Sequence, residues 1–164
     1  MPILSLDLKA NLVNLTNLRP SDPESFRWHI KVRCTNCGEA PDSWHYIVIN
    51  ERMDIPGSRG EANLVEKCKL CSRVNTLTIV DDSVGSYSAE KNEQFQSMIK
   101  FDCRGLEPYE FDPRMGWQAE GVESETPFEE IDLSEKEWSD YDERVNEAVE
   151  INEIDVKFNF VRGK

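Results

Sequence analysis

Alternation of apolar and polar residues dominates this chain and indicates β-strands. Every second residue is apolar from Leu4 to Leu12, from Phe26 to Cys34 and from Ile154 to Phe160. A period of two puts like side chains on one face of a strand, so each segment predicts a half-buried strand. Residues 44–49 and 74–80 are rich in β-branched or aromatic residues and predict further strands, the first buried on both faces. The pattern therefore predicts a mainly β protein.

Two stretches predict breaks in this pattern. Pro20 and Pro23 interrupt the chain and predict a loop over residues 17–22. The segment Leu133-Ser134-x-x-Glu137-Trp138 matches a capping box with a hydrophobic staple. It predicts a short helix in the second half that continues to Val145.

A repeated spacing predicts two similar halves. The pattern Phe-x3-Ile-Lys-x2-Cys occurs at residues 26–34 and again at 95–103, and the similar segments 74–79 and 151–156 follow in the same order. Because a slip of one residue would turn every side chain of a strand to the other face, these matches predict two β halves related by an approximate two-fold axis. We assign the halves to residues 1–80 and 81–164, joined in one continuous structural domain.

Composition predicts a water-soluble protein. The 164 residues, 38% of them apolar, suffice for a hydrophobic core. No apolar run is long enough for a membrane helix, and the N-terminal residues lack the features of a secretion signal. We therefore expect a monomer in the cytosol, with the nucleus as a second compartment.

The net charge of −13 is concentrated in the second half. Between Glu107 and Asp155 there are 18 acidic residues but only three basic ones. Such a field repels nucleic acid and suits a basic protein partner, although a charged face can also serve solubility alone. We expect a protein partner, whose identity the sequence does not specify.

Candidate chemistry is concentrated in two Cys-x2-Cys pairs, Cys34 with Cys37 and Cys68 with Cys71, separated by thirty residues. Two such turns can aim four thiolates at one point, as a tetrahedral Zn²⁺ site requires. Two disulfides are an alternative, but they suit a secreted protein, and a redox motif is another, but it needs one pair on a βαβ unit. We predict one structural zinc ion, with Gly38 at the positive φ that such turns often need.

The fifth cysteine, Cys103, takes the place of Cys34 in the second copy of the repeat. Leu106 stands where a second ligand would be, so we expect this half to be free of metal and held by apolar packing. Arg104 beside Cys103 can lower the pKa of the thiol and make it reactive, whereas a buried thiol at this position would be inert.

Five basic residues flank the cysteine pairs: Lys31, Arg33, Lys67, Lys69 and Arg73. They can compensate the formal charge of a four-thiolate zinc site, or they can form a phosphate-binding patch. We favour compensation because the chain as a whole is acidic.

Seven short stretches, spread over nearly the whole chain, carry a resemblance to a known family. They are Leu18-Arg19-Pro20, Phe26-Arg27-Trp28, Cys34 to Glu39, Lys67-Cys68-Lys69-Leu70-Cys71, Cys103 to Pro108, Ala119 to Ser124 and Asp140-Tyr141-Asp142-Glu143. Together they resemble the eukaryotic CXXC-motif-containing zinc-binding proteins, a family of unknown function. The resemblance implies an elongated, barrel-like all-β fold with pseudo-two-fold symmetry and one zinc ion held by residues matching Cys34, Cys37, Cys68 and Cys71. It implies no catalytic residues.

Three functions are consistent with these features. A zinc-stabilised, non-enzymatic adaptor or binding protein is our first hypothesis, because a closed sulfur shell leaves no coordination position for a substrate. The alternative is a thiol-reactive or metal-transfer protein that uses Cys103 or labile zinc ligands. A nucleic-acid-binding zinc module rests on the basic residues alone.

Overall fold

The computed structural model describes residues 2–161 and is almost entirely β. Its strands are β1 (Ile3–Val13), β2 (Leu15–Pro20), β3 (Trp28–Cys34), β4 (His45–Ile47), β5 (Met53–Asp54), β6 (Glu61–Ala62), β7 (Leu64–Lys67), β8 (Val74–Ile79), β9 (Gln96–Arg104), β10 (Leu106–Asp112), β11 (Met115–Gly121), β12 (Pro127–Asp132), β13 (Trp138–Asp142) and β14 (Glu147–Val161). A single 3-10 turn, Ala89–Lys91, lies in the second half. Within the described residues, no helix is long and apolar enough to cross a membrane.

The strands of the first half are arranged in the same order as those of the second half. A six-stranded sheet has the order β13-β14-β1-β9-β8-β7, with antiparallel β1 and β9 at its centre. Two three-stranded sheets have the orders β10-β3-β4 and β2-β11-β12. Each small sheet therefore contains one strand from the other half, and β1, β3 and β8 hold places that correspond to those of β9, β11 and β14.

The prediction that residues 26–34 and 95–103 occupy equivalent positions is wrong. The first segment forms β3, between β10 and β4, whereas the second forms β9, between β1 and β8 in the large sheet. Cys103 therefore does not correspond to Cys34. The other matched pair, 74–79 and 151–156, does lie in corresponding strands, β8 and β14. The spacing Phe-x3-Ile-Lys-x2-Cys reflects ordinary strand alternation rather than equivalent position.

Aromatic residues fill the core between the sheets. Trp28 on β3 and Trp117 on β11 are fully buried, with ring centroids 6.2 Å apart. Phe26 lies against both, at 4.7 Å and 5.0 Å, in edge-to-face contacts. The indole N–H of Trp117 donates to the carbonyl of Pro113 at 2.9 Å. The core thus joins strands from both halves. The alternate residues of β3 that the sequence predicted to be apolar and buried lie on its core side.

The predicted helix over residues 134–145 is wrong. Ser134 does not cap a helix, because its hydroxyl donates to the Asp132 carboxylate at 2.5 Å. The chain turns at Lys136, whose φ is 61°, and continues as β13, paired with β14. Trp138 packs against Phe128 on β12, with ring centroids 5.8 Å apart. Tertiary packing therefore overrides the local capping signal.

Two further local predictions also need correction. The segment 17–22 is not a loop up to Pro20, because Leu15–Pro20 form β2 at the edge of its sheet, where a proline is tolerated. The segment 44–49 contains only a three-residue strand, β4, and is not buried on both faces. Tyr46 is 45% exposed, because β4 is an edge strand whose outer face meets solvent.

A buried carboxylate ties together two loops of the second half. Asp142, at the end of β13, accepts hydrogen bonds from the hydroxyls of Ser124 and Thr126 and from the N–H of Arg144 at 3.1 Å. Ser124 and Thr126 lie in the loop after β11. The Ser124 hydroxyl is the largest cause that lowers the pKa of Asp142, and Thr126 and Arg144 add to it against the opposing effect of burial.

Replacing Asp142 with Asn should lower the melting temperature by several degrees at pH 7. The new amide N–H₂ would face groups that already donate, so at least one buried donor would lose its partner. Because the folded-state pKa of Asp142 is lowered, the stabilisation is present above its unfolded pKa and is lost as pH falls through the folded value. Thermal melts should therefore show the gap between wild type and variant closing below about pH 4.

Asp140→Asn is the matched control, since Asp140 is an exposed carboxylate on the same strand. Its melting temperature should stay near that of wild type. An equal loss in the two variants, or a gap that does not change with pH, would contradict the assignment to Asp142.

Candidate metal centre

The first cysteine pair forms a tight turn at the end of β3. The N–H of Gly38 donates to the carbonyl of Cys34 at 2.8 Å, and the N–H of Cys34 donates to the carbonyl of Glu39 at the same distance. Gly38 has a φ of 84°, which confirms the positive value predicted for it. The turn brings Cys37 back toward Cys34, with the backbone already hydrogen-bonded.

The second pair forms the same turn between β7 and β8. The N–H of Ser72 donates to the carbonyl of Cys68 at 2.8 Å, and the N–H of Cys68 donates to that of Arg73 at 2.8 Å. Ser72 has a φ of 66°, in the region where glycine is usual. Sequence reasoning missed this turn residue, because serine gives no signal for a positive φ.

The four sulfurs converge at one point. All of them lie within 4.8 Å of one another. The sulfurs of Cys34 and Cys71 are 3.7 Å apart, and those of Cys37 and Cys68 are 3.5 Å apart. A zinc ion with tetrahedral Zn–S bonds of about 2.3 Å needs sulfurs roughly 3.8 Å apart. The spacing therefore fits Zn²⁺, whereas a disulfide needs about 2 Å and all five cysteines are free.

Hydrogen bonds favour the thiolate form of two of these residues. The N–H of Cys37, and then the side-chain amide of Asn75, lower the pKa of Cys34 to about 6 despite burial. The side-chain amide of Asn36 is the largest cause that lowers the pKa of Cys71. Since zinc binds thiolates, these donors prepare the site for a metal.

The most exposed of the four cysteines behaves in the opposite way. The N–H of Glu39 acts to lower the pKa of Cys37, but desolvation and the thiols of Cys68, Cys71 and Cys34 outweigh it and raise the pKa to about 12. Without a metal, the crowded sulfurs therefore oppose ionisation of the Cys37 thiol. A divalent cation would favour the thiolate and balance the charge of the cluster.

Two of the basic residues near the cluster contact carboxylates. Lys31 forms ion pairs with Asp42 and, at 3.7 Å, with Glu110. Arg33 pairs with Glu107 at 2.5 Å. Lys67 and Lys69 line a cleft of about 290 Å³ beside the cysteines. Two of the five cations are therefore already paired, which reduces the basic surface open to phosphate.

Cys103 is separate from the cluster. It is 1% exposed, pairs with Leu77 across β9 and β8, and lies outside the group of four converging cysteines. Burial, followed by the charges of Glu107 and Asp102, raises the pKa of its thiol to about 12. The neighbouring Arg104 does not activate it, because its guanidinium faces Asp102 at 3.5 Å. Cys103 thus has the setting of an inert, buried thiol.

The corresponding place in the second half has the same turn without cysteines. The N–H of Gly121 donates to the carbonyl of Thr126 at 2.9 Å, and the N–H of Glu125 donates to that of Gly121 at 3.0 Å. These bonds repeat the pattern at Cys34, Gly38 and Glu39. Here the Asp142 carboxylate joins the two loops. Among residues 2–161, only the four cysteines form a cluster suited to a metal. In the second half, hydrogen bonds as well as apolar packing join the two loops.

Comparisons with known proteins agree with this geometry. The family model described as CXXC motif containing zinc binding protein, eukaryotic, matches residues 5–159. The UPF0587 protein F46B6.12 of Caenorhabditis elegans is 61% identical over 99% of this chain and 97% of its own length. The CXXC motif containing zinc binding protein of Homo sapiens is 49% identical over 94% of this chain and 96% of its own.

Solved structures share the fold. The crystal structure of C1orf123 is 48% identical and superposes with a TM-score of 0.91 over 97% of this chain and 99% of that one. A hypothetical protein from Plasmodium falciparum, 26% identical, superposes with a TM-score of 0.86 over 97% of this chain and all of its own. This chain therefore belongs to the eukaryotic family of CXXC motif containing zinc binding proteins.

Proposed function

We propose that this protein is a non-enzymatic zinc protein in which Cys34, Cys37, Cys68 and Cys71 hold one structural Zn²⁺. The observation that carries the proposal is the convergence of four cysteine sulfurs within 4.8 Å of one another. Four sulfur ligands fill the coordination shell, so no position stays open for a substrate or an activated water. Reduced thiols are needed to bind the metal, which suits the cytosol or the nucleus.

The zinc ion would close one end of the fold. Cys34 and Cys37 extend from the small sheet of β10, β3 and β4, whereas Cys68 and Cys71 join β7 to β8 at the edge of the large sheet. A shared metal would therefore bind two separate sheets together. The ion would therefore stabilise the scaffold. We expect other proteins to bind at a different surface.

The acidic second half supplies that surface. Glu129, Glu130 and Asp132 are exposed on β12, which is an edge strand. On the neighbouring β13, Asp140 and Tyr141 are also exposed. We expect a basic segment of another protein to bind here, because charge of one sign over two edge strands attracts the opposite charge.

A zinc-transfer role is the second candidate, and the exposure of Cys37 favours it. An exposed ligand is open to attack by an incoming thiol or chelator, which is the first step of metal exchange. The burial of Cys103 argues against thiol catalysis at that residue. Rapid transfer of zinc to a chelator at neutral pH would favour this role, whereas release only on unfolding would favour a structural ion.

Replacing Cys68 with Ser should remove the zinc and much of the stability of the first half. Structural zinc contributes about 10–16 kcal/mol of apparent binding free energy in small zinc peptides, so its loss should lower the melting temperature markedly. Elemental analysis of the purified variants gives the metal content. Cys103→Ser is the control and should keep one zinc per chain. Full occupancy in Cys68→Ser, or loss in Cys103→Ser, would refute the ligand assignment.

Reversing the charge of Glu129, Glu130 and Asp132 to Lys should weaken capture of a basic partner several-fold, because it removes part of the field that attracts it. Wild-type capture of a Lys/Arg-rich peptide should also fall as salt is raised. Fluorescence anisotropy at two ionic strengths measures both effects.

The matched control reverses three exposed acidic residues of the zinc half, Glu24, Glu51 and Asp54. It changes the net charge equally but should leave binding closer to wild type. Equal weakening by the two triple variants would mean that only the total charge matters. If the variant at Glu129, Glu130 and Asp132 binds as well as wild type, the acidic face serves only to keep the protein soluble.

A further inference from the structure

Asn75 is a buried polar residue beside the cysteine cluster. It lies on β8, is 1% exposed, and its Nδ2 donates to the Sγ of Cys34 at 3.2 Å. Buried amides are normally retained only where their hydrogen bonds are made. The bond to a ligand sulfur is therefore the interaction that accounts for an asparagine at this position.

The orientation of the Asn75 amide follows from its surroundings. With the amide reversed, the carbonyl oxygen would face the electron pairs of the Cys34 sulfur, which repel it. In the observed orientation, Oδ1 has no hydrogen-bond partner within the described part of the chain. The unpaired buried oxygen costs free energy and therefore opposes this orientation. The hydrogen bond to the sulfur and the shape of the pocket must offset that cost.

Gly105 forms the wall of that pocket. It joins β9 to β10, and a Cβ placed on it would come within 2.1 Å of the Asn75 Oδ1. The carbonyl of Gly105 also accepts a hydrogen bond from the N–H of Thr35 at 2.9 Å, and Leu106 pairs with Cys34. A glycine at this position therefore leaves room for the amide while its backbone holds the first cysteine turn.

We propose that Asn75 is a positioning residue for the zinc site, which holds the Cys34 thiolate in place and slows release of the metal, and that Gly105 in the second half maintains the space this requires. The inference rests on the zinc site proposed above. Hydrogen bonds from outer residues orient metal ligands and tune their basicity, and their loss typically costs about 10–100-fold in metal affinity or activity. The site would therefore depend on Gly105, which lies far from the four cysteines in sequence.

Replacing Asn75 with Leu tests the role, since Leu is similar in size and removes both the donor and the unpaired oxygen. The purified variant should still contain one zinc per chain, but it should transfer the metal to excess EDTA about 10–100-fold faster than wild type. In the Co²⁺-substituted protein, the sulfur-to-metal charge-transfer bands should move to longer wavelength, because a sulfur without its N–H donor holds its electrons less tightly.

Gly105→Ala should also speed zinc release without changing any residue that touches the metal, because its Cβ would displace the amide and because the φ of 95° at this position strains any residue other than glycine. The double variant Asn75→Leu/Gly105→Ala should release zinc more slowly than the two single effects multiplied together, since both disturb the contact between Asn75 and Cys34. A rate increase equal to that product would refute the coupling between these two residues.

Asn36→Ala is the matched control. Asn36 also donates to a ligand sulfur, Cys71 at 3.4 Å, but it is exposed, so water can replace its N–H. Its zinc release should change less than that of Asn75→Leu. If Asn75→Leu lowers the melting temperature but leaves zinc release and the Co²⁺ spectrum unchanged, Asn75 is only a packing residue. If wild type itself binds no metal, the proposed zinc site fails rather than the role of Asn75.

Discussion

The antiparallel pairing of β1 with β9 is the contact on which both halves depend. It places Leu6 opposite Ile99, both fully buried, at the centre of the large sheet. Each of these strands is followed by a single residue with positive φ, Asn14 after β1 and Gly105 after β9. The chain then crosses into the small sheet of the other half. The two-fold strand order is therefore a consequence of one central pair and two similar corners.

The two ends of the fold address one physical problem with different chemistry. At each end, the loop of a small sheet must be held to the edge of the large sheet. Four cysteines converge at one end, whereas at the other the Asp142 carboxylate collects hydrogen bonds from Thr126 and Arg144. A thiolate cluster needs a cation to relieve its charge, but a single carboxylate surrounded by donors does not. The cysteine end therefore has the chemistry of a metal site, whereas the Asp142 end is joined by hydrogen bonds.

Sequence reasoning found the features that regular patterns encode. Alternation located β1, β3 and β14, and paired cysteines identified the cluster, because both signals are local and periodic. It failed where tertiary contacts decide: β2 tolerates Pro20 only because it lies at an edge, and β13 forms because Trp138 meets Phe128. Asn75 and Asp142 gave no signal, since asparagine and aspartate are common in many settings and only the fold brings them to their partners.

The exchange of strands between halves also orders events during synthesis. The chain leaves the ribosome with its N-terminus first. All four cysteines precede Gly105 and β10 in the chain, yet Cys34 pairs with Leu106 of that strand. A nascent chain therefore exposes a full set of zinc ligands before the sheet that supports the first of them is complete. Metal captured at that stage would join β3 to β8 early and leave an open edge ready to receive β10.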